Sequence, residues 1–235
     1  MKFKVIALVF LFFLSFKITG QIAYDKVLSP DYEKAAAFIQ SEKWMLDTFV
    51  KYQLNPYFVL AIVFPELIRY SKLQDVIESN DLKVLYVQFG DTYSNFSIGR
   101  FQMKPSFCEQ LEKDYNKYVT LQKKLLFNIQ LFDVTQNPQN RKVRIYRMEH
   151  LVWQVRYLMI FVYLNNYYLN LLGNQSLSGL RLLATAYNVG YFKGINYIKS
   201  KQHLKEFHFS GSFKSVKNSF NYADISCYYY TQKLK

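Results

Sequence analysis

The chain has few of the residues that bind metals or cross-link small folds. Among its 235 residues are two cysteines and three histidines, namely Cys108, Cys227, His150, His203 and His208. The two cysteines are far apart and form no CxxC pair, so we expect neither a metal site nor a cofactor. Cys108 and Cys227 could still form one disulfide in an oxidising compartment.

The chain also lacks an apolar run long enough to cross a bilayer at its N-terminus. The run over residues 5–16 is about a dozen residues, against the ~20 that a transmembrane helix needs. Lys2 and Lys4 precede the run, and a small or polar stretch follows it, which is the layout of a secretory signal peptide. We therefore predict a leader over residues 1–20, no lipoprotein anchor, and export to the periplasm or cell envelope.

Acidic residues are much scarcer than basic ones. The chain has 17 Asp and Glu against 30 Lys and Arg, a formal net charge of +13. Without Lys2, Lys4 and Lys17 of the leader, the charge is still near +10. Such a surface favours polyanionic partners, and export argues against nucleic acid and for an anionic cell-wall polymer or membrane surface. The alternative is a basic surface that serves solubility only.

Apolar residues at helical spacing predict a mainly α fold. The spacing predicts an amphipathic helix over 31–52 and a core helix that begins at Asn55 and Pro56, with Asn55 as its cap. Residues 82–89 are rich in β-branched and aromatic side chains, which favours a short strand or hairpin. The long apolar run over 142–172 predicts a buried central helix.

The remaining predicted elements are shorter. They are a helix over 104–118, a helix over 121–132, a loop over 136–140, and a helix that Ser176 or Ser178 caps. Residues 208–235 show no clear period, so we predict a domain over 21–207 followed by a C-terminal tail of unknown role.

Glu66 is the first candidate for chemistry. It is an isolated carboxylate beside the apolar run 57–65, where desolvation would keep a glutamate protonated near neutral pH. A protonated carboxyl group is what the cleavage of a glycosidic bond requires. The alternative is a carboxylate that only stabilises free amides at a helix start.

Two later segments, 99–105 and 184–190, supply a turn and a helix end. The first reads Gly-x-x-Gln-Met-x-Pro, with a glycine that permits close approach of the backbone, an amide, and a proline that opens a helix. The second ends a helical run with Tyr187 and Asn188, then a terminal glycine. Gln102 could merely tie the turn together, and Tyr187 with Asn188 could be a buried structural pair.

In this order the segments resemble the lysozyme-like lytic transglycosylases of the soluble murein transglycosylase type. That family's pattern is a catalytic Glu, then Gly-Leu-Met-Gln-hydrophobic-x-Pro, then Ala-Tyr-Asn-x-Gly, and the resemblance covers about residues 56–195. It implies a mainly α, lysozyme-like fold with a small β element or an insertion bordering the cleft.

The resemblance also implies a function and a role for each matched residue. Glu66 would act as general acid and then base, cutting peptidoglycan between N-acetylmuramic acid and N-acetylglucosamine with a 1,6-anhydro product. Gly99 and Gln102 would line the cleft, Tyr187 would orient the catalytic glutamate, and Asn188 would contact saccharide. The implied partners are peptidoglycan glycan strands, and such a protein also suits a cell-envelope, secretion or conjugation machinery.

The chain departs from the family pattern at three places. Leu67 stands where the family has Ser, and Pro65 before the glutamate is expected to kink or restart the helix. Arg100 and Phe101 replace the usual Leu-Met. The connection over 70–97 is longer than usual and is expected to shape one wall of the groove.

Two other functions remain open on the same residues. A hydrolytic lysozyme would use Glu66 and admit a water held by a second carboxylate, for which Asp91 is the candidate unless it is an ordinary solvated loop charge. A non-catalytic wall-binding protein would keep the groove without the catalytic geometry of Glu66.

Overall fold

The computed structural model describes residues 22–73, 80–118, 137–169, 176–208 and 219–234, and these are mainly helical. The α-helices in this part of the chain are α1 (Tyr24–Val27), α2 (Asp31–Ser41), α3 (Lys43–Lys51), α4 (Pro56–Leu73), α5 (Asn80–Phe89), α6 (Pro105–Lys117), α7 (Pro138–Glu149), α8 (Leu151–Leu169), α9 (Leu177–Val189), α10 (Ile195–Lys201) and α11 (Tyr222–Lys233). A 3-10 turn, Tyr191–Lys193, joins α9 to α10, and strand β1 (Phe207–His208) pairs antiparallel with β2 (Ser219–Phe220).

Helix α4 lies at the centre of the core. Asn55 caps it as predicted, because its Oδ1 accepts hydrogen bonds from the N–H groups of Tyr57 and Phe58 at 3.0 and 3.2 Å. Residues 58–64 are entirely buried. Helices α2, α3, α9 and α11 pack against α4, and a helix that is apolar on all sides is typical of such an enclosed position.

Pro65 does not restart the helix, so that part of the prediction is wrong. Helix α4 continues through Pro65, although proline has no N–H to donate to the carbonyl of Ala61. One residue further on, the carbonyl of Ile62 accepts a 3.0 Å hydrogen bond from the buried hydroxyl of Tyr222. Packing from the neighbouring helices thus holds α4 together, and Glu66 projects from a continuous helix.

The segment predicted as a tail of unknown role contributes α11 to this core. The ring of Tyr229 stacks on Phe64 with centroids 3.8 Å apart, and the ring of Tyr230 packs edge-on against Phe58 at 5.4 Å. Most side chains over 222–230 are buried. Because α11 is buried on nearly all sides, its apolar residues form no stripe with a helical period, and periodicity could not predict this helix.

Residues 82–89 belong to helix α5, so the predicted strand or hairpin is wrong. Tyr86 is fully buried, and its hydroxyl donates a 2.7 Å hydrogen bond to Glu109 on α6. The apolar side chains that favoured a strand are more than a third exposed, namely Leu82, Val84, Leu85 and Phe89. Residues 82–89 are therefore helical because of the contacts of α5 with α6 and α7, which outweigh the local preference for a strand.

Two long predicted helices are each broken once. The helix predicted over 31–52 is interrupted at Glu42, between α2 and α3. The run 142–172 is divided at His150 between α7 and α8. In both cases apolar residues recur at helical spacing on either side of the break, so the spacing could not predict where the helix is interrupted.

Side-chain caps fix the starts of α7 and α9. Residues 136–140 were predicted as a loop, but Asn137 accepts a 2.8 Å hydrogen bond from the N–H of Asn140 and begins α7. Ser176 caps α9 by accepting from the N–H of Gly179 at 3.1 Å. The predicted leader over 1–20 and the predicted helix over 121–132 lie outside the described residues.

A buried ionic cluster joins α5, α6, α7 and α8. Arg144 is at the centre of the cluster and is 2% exposed. Its Nη2 and Nε atoms lie 2.6 and 2.9 Å from Oε2 of Glu112. Its Nη1 atom lies 3.1 Å from Oε1 of Glu109. Arg144 also donates to the hydroxyl of Tyr86, and Tyr157 donates to Glu112. Because each buried charge is paired, the cluster fixes the mutual packing of these helices.

The two cysteines are free and buried in different surroundings. Cys108 on α6 lies with its Sγ 4.0 Å from the sulfur of Met103, and Cys227 on α11 has its Sγ 3.5 Å from the carbonyl of Leu177. The disulfide that the sequence left open is therefore absent. Within the described ranges, no helix has both the length and the hydropathy that a membrane span requires.

Candidate active site

A cleft of about 620 Å³ brings together residues from all three sequence segments. Glu66 enters it from α4, Gln102 from the turn before α6, and Tyr187 and Asn188 from the C-terminal end of α9. Four of the six candidate site residues thus line one surface, although they are far apart in the sequence.

Glu66 is the buried acid of this cleft. Its residue is 4% exposed, and Nη2 of Arg69, one helical turn further along α4, lies 2.6 Å from its Oε2. The two side chains form a close ion pair. Among the described residues, Oε2 of Glu66 and Nε of Arg69 have no hydrogen-bond partner.

Burial and nearby positive charges have opposite effects on the pKa of Glu66. Desolvation raises the pKa of Glu66 from 4.5 to about 7, and this effect outweighs the positive charges of Arg69 and Lys104, which lower it. A carboxyl group with a pKa near neutral can both donate and accept a proton under physiological conditions. Glu66 therefore has the protonation behaviour that a general acid and base requires.

Substitution of Arg69 tests how its positive charge and burial together determine the pKa of Glu66. We expect Arg69→Met to raise the pKa of Glu66 above about 7, because the substitution removes a charge that lowers the pKa and leaves the burial in place. Carbon-13 NMR titration of the Glu66 carboxyl measures the change. Lys199→Gln, which replaces an exposed lysine outside the cleft, is the control. An unchanged or lower pKa in Arg69→Met would contradict the assignment.

The turn over 98–103 presents Gln102 and Met103 to the cleft. The N–H and C=O groups of Ile98 and Met103 pair in both directions, at 2.8 and 3.1 Å, and form an isolated antiparallel bridge. Gln102 has a φ of +50°, and its Nε2 donates a 2.9 Å hydrogen bond to the carbonyl of Gly99. Gln102 thus both ties the turn together and lines the cleft, so the two interpretations of this residue are compatible.

Tyr187 supports the same turn. Its ring lies in the cleft wall, but its hydroxyl donates a 2.7 Å hydrogen bond to the carbonyl of Phe101. On the far side, the side chain of Gln154 accepts from the N–H of Phe101 at 2.8 Å. The hydroxyl of Tyr187 thus supports the turn, and its role in orienting Glu66 stays a prediction. Asn188 is exposed and free to meet a ligand in the cleft.

Gly99 does not line the cleft and acts through the backbone instead. Its φ is +73°, and a Cβ at this position would lie 2.5 Å from the carbonyl oxygen of Met148 and 2.2 Å from Nε2 of Gln154. Real Cβ atoms do not approach backbone oxygens this closely. A glycine is therefore required for the turn to pack on the junction between α7 and α8.

Substitution of Gly99 by alanine is expected to destabilise the fold by about 3 kcal/mol, from unfavourable φ together with overpacking. Urea unfolding measures the free energy. Gly194→Ala is the matched control, because Gly194 has a φ of +87° but nothing within 4 Å of a Cβ. We expect about 1 kcal/mol there. Equal losses in the two variants would show that the close packing at Gly99 is unimportant.

Among the described residues, the second carboxylate that lines the cleft is Glu206 and not Asp91. Asp91 lies in the turn after α5 and is not among the residues that line the cleft. Glu206 precedes β1, lines the cleft, and forms an exposed ion pair with Lys201 at 3.3 Å. No local motif marks Glu206, whose segment is held by the pairing of β1 with β2 and by hydrogen bonds from Asn221 to the carbonyls of Gln202 and Leu204.

Sequence reasoning also missed other residues of the cleft wall. Arg69 could have been identified, since it lies three residues after Glu66 on the same helix and so shares its face. Phe192, Lys193 and Tyr197 follow the Tyr-Asn segment directly and form an aromatic and cationic rim. The 70–97 connection contributes to the wall as expected, through Asn95 and Ser97.

Comparison with known proteins gives no further guide to this cleft. No family model, curated protein or solved structure matches the chain. In the part of the chain that the structure describes, no group of three or more His, Cys, Asp or Glu side chains could hold a metal ion. We therefore infer the function from the geometry of the cleft.

Proposed function

We propose that the protein is an exported glycan-cleaving enzyme of lysozyme-like architecture, a lytic transglycosylase that acts on peptidoglycan strands. What supports the proposal is a single arrangement: a buried carboxyl group with a pKa of about 7 faces a cleft that is also lined by Gln102, Tyr187 and Asn188. A protonated acid next to polar and aromatic groups is the environment in which a glycosidic bond is cut.

In the proposed reaction Glu66 first acts as an acid. Its carboxyl proton passes to the glycosidic oxygen as the bond to C1 of the muramyl sugar breaks, and positive charge develops on that ring. The resulting carboxylate then takes the proton of the muramyl 6-hydroxyl group while the 6-oxygen attacks C1. The products are a 1,6-anhydromuramyl end and a free 4-hydroxyl end, and no water is consumed. Glu66 regains its proton in the second step, so one carboxyl group suffices.

The ion pair with Arg69 has a defined role in this scheme. When Glu66 becomes a carboxylate, the guanidinium 2.6 Å away stabilises the new charge in a site from which most water is excluded. Because burial favours the protonated form and Arg69 favours the ionised form, neither state is strongly preferred near neutral pH. A group that gives and then recovers one proton needs this balance.

Hydrolysis is the second candidate function, and Glu206 is the observation that favours it. Glu206 is a carboxylate on the rim of the same cleft. A lysozyme places a water or stabilises the charged sugar with a second carboxylate across from the acid. Glu206 forms an exposed ion pair with Lys201 at 3.3 Å.

Mass spectrometry of the products distinguishes these functions. Residues 21–235 are incubated with purified peptidoglycan, and the released muropeptides are analysed. Anhydro-muropeptides, each one water lighter than a hydrolysis product, support the transglycosylase. Reducing-end products support the lysozyme instead. A protein that sediments with peptidoglycan but releases nothing would be a binding protein, and the enzymatic proposal would fail.

A further inference from the structure

Some of the charged side chains that line the cleft form ion pairs and others do not. Two carboxylates of the described ranges line it: Glu66 is paired with Arg69, and Glu206 is paired with Lys201. The cleft is also lined by Lys104 and Lys193, which are exposed. Neither of these lysines has a carboxylate partner in the described ranges. The cleft thus presents two lysine charges that form no ion pair within the described part of the protein, although Lys104 also acts on Glu66 at longer range.

Aromatic rings stand beside one of these lysines. Phe192 and Tyr197 line the cleft, and their residues are 47% and 39% exposed. The Lys193 ammonium lies 5.1 Å from the centroid of the Tyr197 ring, so its position over the ring is restricted. An exposed ring next to a cation can stack on the apolar face of a sugar while the cation meets an acidic substituent.

We propose that the cleft selects a carboxylate-bearing sugar chain, with Lys104 and Lys193 as the residues that recognise the carboxylates. The proposal rests on the glycan-binding function of this cleft, and it defines the charge of the substrate. In peptidoglycan a carboxylate has two sources, namely the lactyl group of muramic acid once its peptide is removed, and the acidic residues of an attached stem peptide. A polymer of N-acetylglucosamine alone has neither.

The test measures binding in a Glu66→Gln background, so that the ligand is not consumed. Three ligands of matched length are compared by calorimetry at low salt: neutral chito-oligosaccharide, peptide-free glycan with lactyl carboxylates, and glycan with stem peptides. We expect at least one carboxylated glycan to bind about tenfold more tightly than the neutral chain, as two partly exposed charge contacts allow. The tighter of the two carboxylated ligands identifies the source of the carboxylate.

Charge variants assign the effect to particular residues. Lys104→Gln combined with Lys193→Gln should remove the roughly tenfold preference and leave the affinity for the neutral chain unchanged. Lys199→Gln is the matched control, because Lys199 is an exposed lysine of α10 that does not line the cleft. A preference that survives the double variant, or one that Lys199→Gln removes equally, overturns the assignment.

The outcomes also separate this proposal from the function on which it rests. If the wild-type protein releases products but binds neutral and carboxylated chains equally, the charge selection is wrong and the enzyme remains. If no products are released but carboxylated glycan binds preferentially through the two lysines, the selection stands and the enzymatic function is wrong. If none of the three ligands binds, the selection is overturned.

Discussion

Replacement of Glu66 by glutamine is expected to reduce the rate of peptidoglycan cleavage by about 10²–10⁴-fold. Glutamine has the shape of the carboxyl group but no proton to donate to the glycosidic oxygen and no carboxylate to accept one. Release of soluble muropeptides over time, measured by chromatography, gives the ratio of rates. Residual activity within tenfold of the wild type would show that Glu66 is not the catalytic acid.

Two controls make this result specific. The Glu66→Gln protein should remain folded and still sediment with peptidoglycan, because the substitution keeps the side-chain volume and removes a group whose ionised form is costly to bury. Glu206→Gln should retain most of the activity if the reaction is a transglycosylation, since that route needs one carboxyl group. A loss in Glu206→Gln as large as that in Glu66→Gln would favour hydrolysis.

Replacement of Arg144 by methionine is expected to destabilise the protein by about 3–5 kcal/mol. The side chain is 2% exposed and is the common partner of Glu109 and Glu112. Without it, the buried carboxylate of Glu109 loses its ion pair and that of Glu112 keeps the longer one with Arg147 at 3.9 Å, and a buried charge without a close partner is costly. Urea unfolding followed by circular dichroism measures the loss.

The matched control for Arg144 lies on the same helix. Lys142 is exposed on α7, and we expect Lys142→Met to change the stability by less than about 0.5 kcal/mol. If Arg144→Met were no more harmful than this control, the buried cluster would not be a determinant of the fold. Partial recovery in Arg144→Met combined with Glu112→Gln would indicate that the unpaired carboxylates cause the loss.

Helix starts could be predicted from sequence because they depend on neighbouring residues. Asn55 and Ser176 cap their helices through bonds to the next few N–H groups, and the residue types alone indicate this. Helix α5 could not be predicted in this way. Its buried residue, Tyr86, is held by Glu109 and by Arg144, which is 58 positions away in the chain.

The cleft was predictable to the extent that its residues form motifs. Glu66, Gln102 and Tyr187 were each singled out from a short segment, and the fold brings them to one surface. The hydrogen bond from the hydroxyl of Tyr187 to the carbonyl of Phe101 was not predictable, because it joins residues 86 positions apart in the chain. Glu206 reaches the cleft only through the folding of the C-terminal region, for which the sequence has no local signal.

Titration of Glu66 itself tests whether this residue is protonated near neutral pH and can act as the acid. In protein labelled with carbon-13 at the glutamate carboxyl groups, the Glu66 resonance is assigned by its absence in Glu66→Gln and followed against pH. We expect a midpoint of about 7, because burial outweighs the nearby positive charges. A midpoint near the ordinary value of 4.5 would mean that Glu66 is ionised at neutral pH and would contradict its role as the acid.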